Sequence, residues 1–159
     1  MQPFLLEVTL VVTGGPVYRL VGNMDLLVWL QASNITPSGG EAAGLVVRHN
    51  LKDKSFSTKP VEVPFAAAQS VSRCLREFGL PGRTPVVEGV VDTSDTWCNI
   101  SLHVRELERE GNFTLCLACS GYEGEDAERL ERLLQAILIA AGLDPKEFPH
   151  LLYVNQSNI

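Results

Sequence analysis

The chain has 159 residues, of which 45% are hydrophobic and 20% charged; this is the size and balance of one globular domain, able to bury a core without disulfides or metals. Thirteen Lys and Arg against nineteen Asp and Glu leave a formal net charge of -6, a sign that repels a phosphate backbone and excludes general nucleic-acid binding. No apolar run approaches the roughly 20 residues that span a bilayer, and Met1, Gln2 and Pro3 lack the basic stretch of a signal peptide, so a cytoplasmic protein with no membrane contact is expected.

Leu6, Val8, Leu10 and Val12 alternate with Glu7, Thr9 and Val11, a period of two that predicts a half-buried strand. Thr13-Gly14-Gly15-Pro16 interrupts it, and a hairpin into residues 17–21 is expected. In residues 26–32, Leu26, Val28, Leu30 and Ala32 share one face, with Leu27, Trp29 and Gln31 opposite. Both faces are largely apolar, which marks a central strand. Residues 34–43 hold Pro37, Ser38, Gly39 and Gly40 and no apolar period, and read as a surface loop. A strand resumes at 45–49 and a weaker one at 56–63. From residue 65 to 78 the spacing changes: Ala67, Val71, Cys74 or Leu75, and Phe78 form one helical stripe. Gly79, Leu80 and Pro81 supply the stop.

The second half repeats the order of strands and then a helix. Val86, Val87, Val90 and Val91 predict a short strand. Cys98, Ile100, Leu102 and Val104 then alternate with Trp97, Asn99, Ser101 and His103, and a turn at Glu108-Arg109-Glu110-Gly111 leads into Phe113, Leu115, Leu117 and Cys119. These two strands form the strongest hairpin signal in the chain. A long helix opens near Gly124-Glu125-Asp126, where acids suit the positive end of a helix dipole. Its stripe is Leu130, Leu133, Leu134, Ile137, Leu138 and Ala141, and it stops at Gly142-Leu143-Asp144-Pro145. A shared stop signal explains the likeness of the two helix ends as well as duplication of a strand-strand-strand-helix half does. The expected fold is α+β: a two-layer domain over residues 1–154, with a mostly antiparallel sheet, two amphipathic helices on one face, and residues 155–159 as a frayed tail.

Cys116-Leu117-Ala118-Cys119 has the spacing of zinc and thiol-redox motifs. On a strand, however, residues three apart point to opposite faces, so the two thiols diverge, and no helix start lies beside them to lower a thiol pKa. No metal and no cofactor is expected. If the hairpin places Glu106 opposite Gly111, Cys98 stands opposite Cys119 as a cross-strand thiol pair, Ser101 opposite Cys116, and His103 opposite Thr114. Ser101, His103 and Cys116 are then the parts of a thiol-nucleophile site, but a polar, solvated sheet face is the preferred account of them. His49 and His150 are too scattered to be ligands. The glycine pairs at 14–15 and 39–40 carry no P-loop or dinucleotide-binding pattern.

Arg48, Lys52, Lys54 and Lys59 against Asp53 make residues 48–59 locally +3, whereas eight acids against Arg109 and Arg129 make residues 106–131 locally -6. Such asymmetry can orient an association. Trp29 and Trp97 fall on strand faces opposite the most regular apolar stripe. With both helices on the other side, the two indoles need cover. The leading expectation is therefore a non-catalytic, protein-binding module of adaptor or chaperone-like type, with a second copy of itself as the partner. The alternative is a small-ligand binder or thiol enzyme with a pocket between the sheet and the C-terminal helix.

Overall fold

The computed structural model describes residues 5–16, 24–36, 39–50, 55–80, 82–89, 96–106, 109–117 and 122–148. Six long strands, β1 (Leu5–Pro16), β2 (Met24–Thr36), β3 (Gly39–Asn50), β4 (Ser55–Glu62), β6 (Thr96–Glu106) and β7 (Arg109–Leu117), form one sheet in the order β4-β3-β2-β1-β6-β7. Every pairing is antiparallel. Two short strands, β5 (Glu88–Gly89) and β8 (Tyr122–Glu123), pair separately. Helices α1 (Phe65–Phe78) and α2 (Ala127–Ala140) complete the two-layer α+β fold.

Alternation in the strands decides which side the helices take. Val8, Leu10 and Val12 of β1 lie at the same sheet level as Leu26, Val28 and Leu30 of β2 and Ile100, Leu102 and Val104 of β6, and all nine are buried. Beneath them pack Ala68, Val71, Leu75 and Phe78 of α1 and the Leu130, Leu133, Leu134, Ile137 and Leu138 stripe of α2, in one continuous core. Phe78 meets Phe113 of β7 edge-on, with ring centroids 5.1 Å apart. Both helices cover this one face: Ala68 and Val71 look onto Val8, Leu30 and Ala42, and the end of α2 looks onto Val46, Arg48 and Lys59.

Both helix ends follow the Gly-Leu signal. Gly79 adopts φ 101° and Gly142 φ 75°, and the amides of Leu80 and Leu143 reach back to the carbonyls of Leu75 and Leu138 at 3.2 and 2.9 Å. These are the backbone bonds by which a left-handed residue closes a helix and frees its last carbonyls from isolation.

The structure corrects three expectations. Residues 34–36 and 39–43 are strand, because β2 and β3 run on past the core and Thr36 pairs with Gly39. Backbone pairing carries the strands through these residues, and pairing leaves no apolar period in a sequence. The turn expected at 108–111 is tighter: Glu106 pairs with Arg109, so Arg109, Glu110 and Gly111 already belong to β7. That two-residue shift also moves every partner in the hairpin. Thr13-Gly14-Gly15-Pro16, finally, does not interrupt the strand: β1 runs to Pro16, and these four residues pair with Asn99, Cys98, Trp97 and Thr96 of β6, while the expected strand at 17–21 lies outside the described residues, as do Val90, Val91 and residues 149–159.

Candidate functional site on the open sheet face

The face away from the helices is built from the other half of each strand. Val11 of β1, Leu27 and Trp29 of β2, and Leu45 and Val47 of β3 form a contiguous apolar band, since Val11 pairs with Leu27, Leu27 with Val47 and Trp29 with Leu45. All five are half-buried by their sheet neighbours alone. Pro60 and Thr58 of β4 continue the rows opposite Leu45 and Val47. Phe56, on the same side of β4, is 53% exposed. Towards the other edge the face turns polar: Thr9, Ser101, His103, Asn112 and Thr114 fill the rows on β1, β6 and β7. One face of an antiparallel sheet commonly meets water, but at the middle of β2 and β3 that face carries Leu27, Trp29, Leu45 and Val47, with Gln31 polar beside them.

Trp29 sits at the centre of this band, as the sequence pattern requires. Position 97 pairs with Gly15 and falls on the same side of β6 as Ser101 and His103 by strand alternation; the Trp97 side chain lies outside what is described. The sequence pattern missed Leu45 and Val47. Their alternation with Gly44 and Val46 was legible, but the strand order that sets them beside Trp29 was not.

The thiol expectations rest on a register that the protein does not use. Cys98 pairs with Leu117, not Cys119, and Cys119 lies outside the described residues. Ser101 pairs with Thr114 rather than Cys116, which stands opposite Asn99, and His103 pairs with Asn112 rather than Thr114. The Ser101 hydroxyl is 3.3 Å from that of Thr114, and the nearest charged neighbour of His103 is the Glu110 carboxylate, 4.0 Å from Nε2. Glu110 is already engaged by Arg105 at 3.0 and 3.1 Å. Position 116 thus stands four residues along the strand from His103, about 14 Å, beyond the reach of a nucleophile and its base.

Among the described residues, neither Ser101 nor His103 lines the cleft beside the C-terminal helix. The cleft that does exist there, about 330 Å³ between β3, β4 and the end of α2, is lined by Val46, Arg48, Ser57, Lys59, Val61 and residues 141–144. It lies on the helix-covered side, so the sheet separates it from Ser101 and His103. Among the described residues no group of three or more His, Cys, Asp or Glu side chains is placed to hold a metal ion. No helix among them is long and apolar enough to cross a membrane.

Two of the acids in residues 106–131 are paired within the fold. Asp126 is fully buried at the start of α2; its carboxylate accepts from both terminal nitrogens of Arg83 at 2.6 and 2.9 Å, from Arg129 at 2.6 Å and from the Val86 amide at 2.8 Å. The Arg83 hydrogen bonds foremost, aided by the Val86 amide and Arg129, hold this carboxyl well below the usual range despite burial. Glu110 is likewise taken up by Arg105. What remains unbalanced on the open face is apolar surface rather than charge.

No protein-family model matches the chain, and a search of curated proteins finds none that matches it.

Proposed function

We propose that the protein is a non-catalytic protein-binding module whose open sheet face docks a second copy of the chain. The observation that carries this reading is the band of Val11, Leu27, Trp29, Leu45 and Val47 across three adjacent strands, on the face that neither helix covers. Aromatic and aliphatic residues at the centre with a polar margin are the usual make-up of an interface, and tryptophan is a frequent anchor.

The dimensions favour a copy as the occupant. Strands about 4.8 Å apart, with roughly seven residues each at about 3.4 Å, give this face a flat footprint of about 24 by 24 Å. Side-chain relief brings that close to the roughly 800 Å² per partner of a stable interface. Two such sheets stacked about 10 Å apart by a two-fold axis near Trp29 and Leu45 would place each apolar band against its own copy, an isologous contact. The polar rows on β6 and β7 then form the margin.

Sedimentation velocity over a hundredfold range of concentration tests the reading. Wild-type protein is expected to reach twice the chain mass, and Trp29→Ser and Leu45→Lys to remain at the chain mass with unchanged circular dichroism. A wild-type chain that stays monomeric, or variants that still dimerise, would overturn it.

A further inference from the structure

A second cleft lies at the opposite end of the sheet, outside the open face. It measures about 370 Å³ and is lined by Arg76, Gly79, Leu80, Gly82, Arg83, Glu106 and Arg109. Three elements bring the three guanidinium groups together. Arg76 comes from the last turn of α1, Arg83 from the bend after it, and Arg109 from the start of β7. One cation is enough to balance the negative end of a helix; among the described residues three converge here, and with Arg83 paired to Asp126 two guanidinium groups face the one carboxylate of Glu106.

The local backbone is shaped around these side chains. A Cβ at Gly79 would sit 2.5 Å from Cγ and Nε of Arg83, and a Cβ at Gly82 would sit 2.9 Å from an Nη of Arg109. The two arginines therefore lie across bare glycine backbone; Gly79 is also held at φ +101°, and a Cβ at Gly82 would push the flexible tip of Arg109 aside. The Arg83 amide donates to the Gly79 carbonyl at 2.7 Å and fixes the bend. Arg83 is spoken for by Asp126 and forms a fixed wall. Arg76 and Arg109 have no hydrogen-bond or ion-pair partner among the described residues.

We propose that this cleft binds a small phosphorylated molecule, with Arg76 and Arg109 as the groups that grip its phosphate. A planar guanidinium can present two parallel N–H donors to two phosphate oxygens, and such charge-assisted bonds are among the strongest that side chains form. The cavity falls within the roughly 300–1,000 Å³ typical of small-ligand sites. Leu80, itself buried, offers apolar contact for the rest of the molecule. Glu106 repels a second anionic group, so a monophosphate fits better than a polyanionic chain.

Isothermal titration with inorganic phosphate, against sodium chloride of equal ionic strength, tests the site. Wild-type protein is expected to bind one phosphate saturably at about millimolar strength and to show no response to chloride. Arg76→Ala and Arg109→Ala should each weaken binding about tenfold, the loss of one charge-assisted contact, and the double variant should abolish it. Gly82→Ala, which leaves every charge in place but displaces Arg109, should also weaken it. Melting temperatures measured without phosphate confirm that the variants fold. A response to phosphate that does not saturate, that chloride reproduces, or that the double variant retains would overturn the proposal, as would a phosphoserine peptide binding far more tightly than phosphate while the small anion does not compete.

Discussion

Replacing Asp126 with Asn exchanges one oxygen for an NH₂ group and removes one charge at the point where the second half of the chain is tied to the end of the first. Its carboxylate is fully buried and receives four hydrogen bonds: two from Arg83, one from Arg129 and one from the Val86 amide. The tie is reciprocal, because the Asp126 amide donates to the Val86 carbonyl at 3.0 Å. In the Asn variant one oxygen becomes an NH₂ group facing donors. The oxygen that remains can still serve Val86, and Arg83 and Arg129, being 46% and 42% exposed, can turn to water. That recovery limits the loss to about 3 kcal/mol. Asp126→Ala also removes the acceptor of the part-buried Val86 amide, for about a further 1 kcal/mol. Urea unfolding followed by circular dichroism should show the loss as a lower midpoint at constant slope, and the melting temperature should fall by roughly 6–12 °C at this chain length.

The same substitution has a pH signature. The folded-state pKa of Asp126 is lowered, so the carboxylate's contribution is complete above the ordinary aspartate value of about 3.9 and drains away as pH falls below it. The gap between wild type and Asp126→Asn should therefore narrow by about 1 kcal/mol between pH 7 and pH 3. A gap under 1 kcal/mol at pH 7, or one that does not change with pH, would refute the assignment of Asp126 as a clamped, ionised carboxylate.

Phe78→Ala removes a fully buried ring stacked edge-on against Phe113 and should cost about 3–5 kcal/mol in the same urea assay. Gly124→Ala should cost about 2–3 kcal/mol, because Gly124 holds φ +130° and a Cβ there would meet the Val86 carbonyl oxygen at 2.6 Å. Burial foremost, with the Glu131 charge adding to it, pushes the Tyr122 hydroxyl above its usual range. Folding thus keeps that phenol un-ionised: stability is complete below the ordinary tyrosine value of about 10 and is lost as pH rises beyond it. Absorbance at 295 nm should show one of the three tyrosines titrating only on unfolding.

Much of this architecture is written in local pattern. The alternation in residues 6–12, 26–32 and 98–104 gave the buried face of β1, β2 and β6, and the Gly-Leu pairs marked both helix stops. Burial drives these signals, so they are visible wherever a strand or helix has one side in the core. Residues 34–36 and 39–43 read as loop because their place in the sheet comes from backbone pairing, which leaves no apolar period. The Cys98–Cys119 pairing failed for a different reason: a shift of two residues keeps every side chain on its own face, so hydrophobic alternation cannot distinguish Glu106 opposite Gly111 from Glu106 opposite Arg109. Trp29 was legible as a residue needing cover. Arg83, Arg76 and Arg109 were not, because their meeting depends on how the bend after α1 reaches the β6–β7 hairpin, which no local period encodes.

The most direct test of the open face as the self-docking surface is hydroxyl-radical footprinting of wild-type protein, dilute and concentrated, with mass-spectrometric readout of each side chain. On concentration, Trp29, Leu27, Leu45 and Val47 are expected to lose labelling together, while Ile139, 58% exposed on the outer side of α2, labels equally at both. Loss of labelling at Ile139 with Trp29 unchanged would place the contact on the helices and contradict the account.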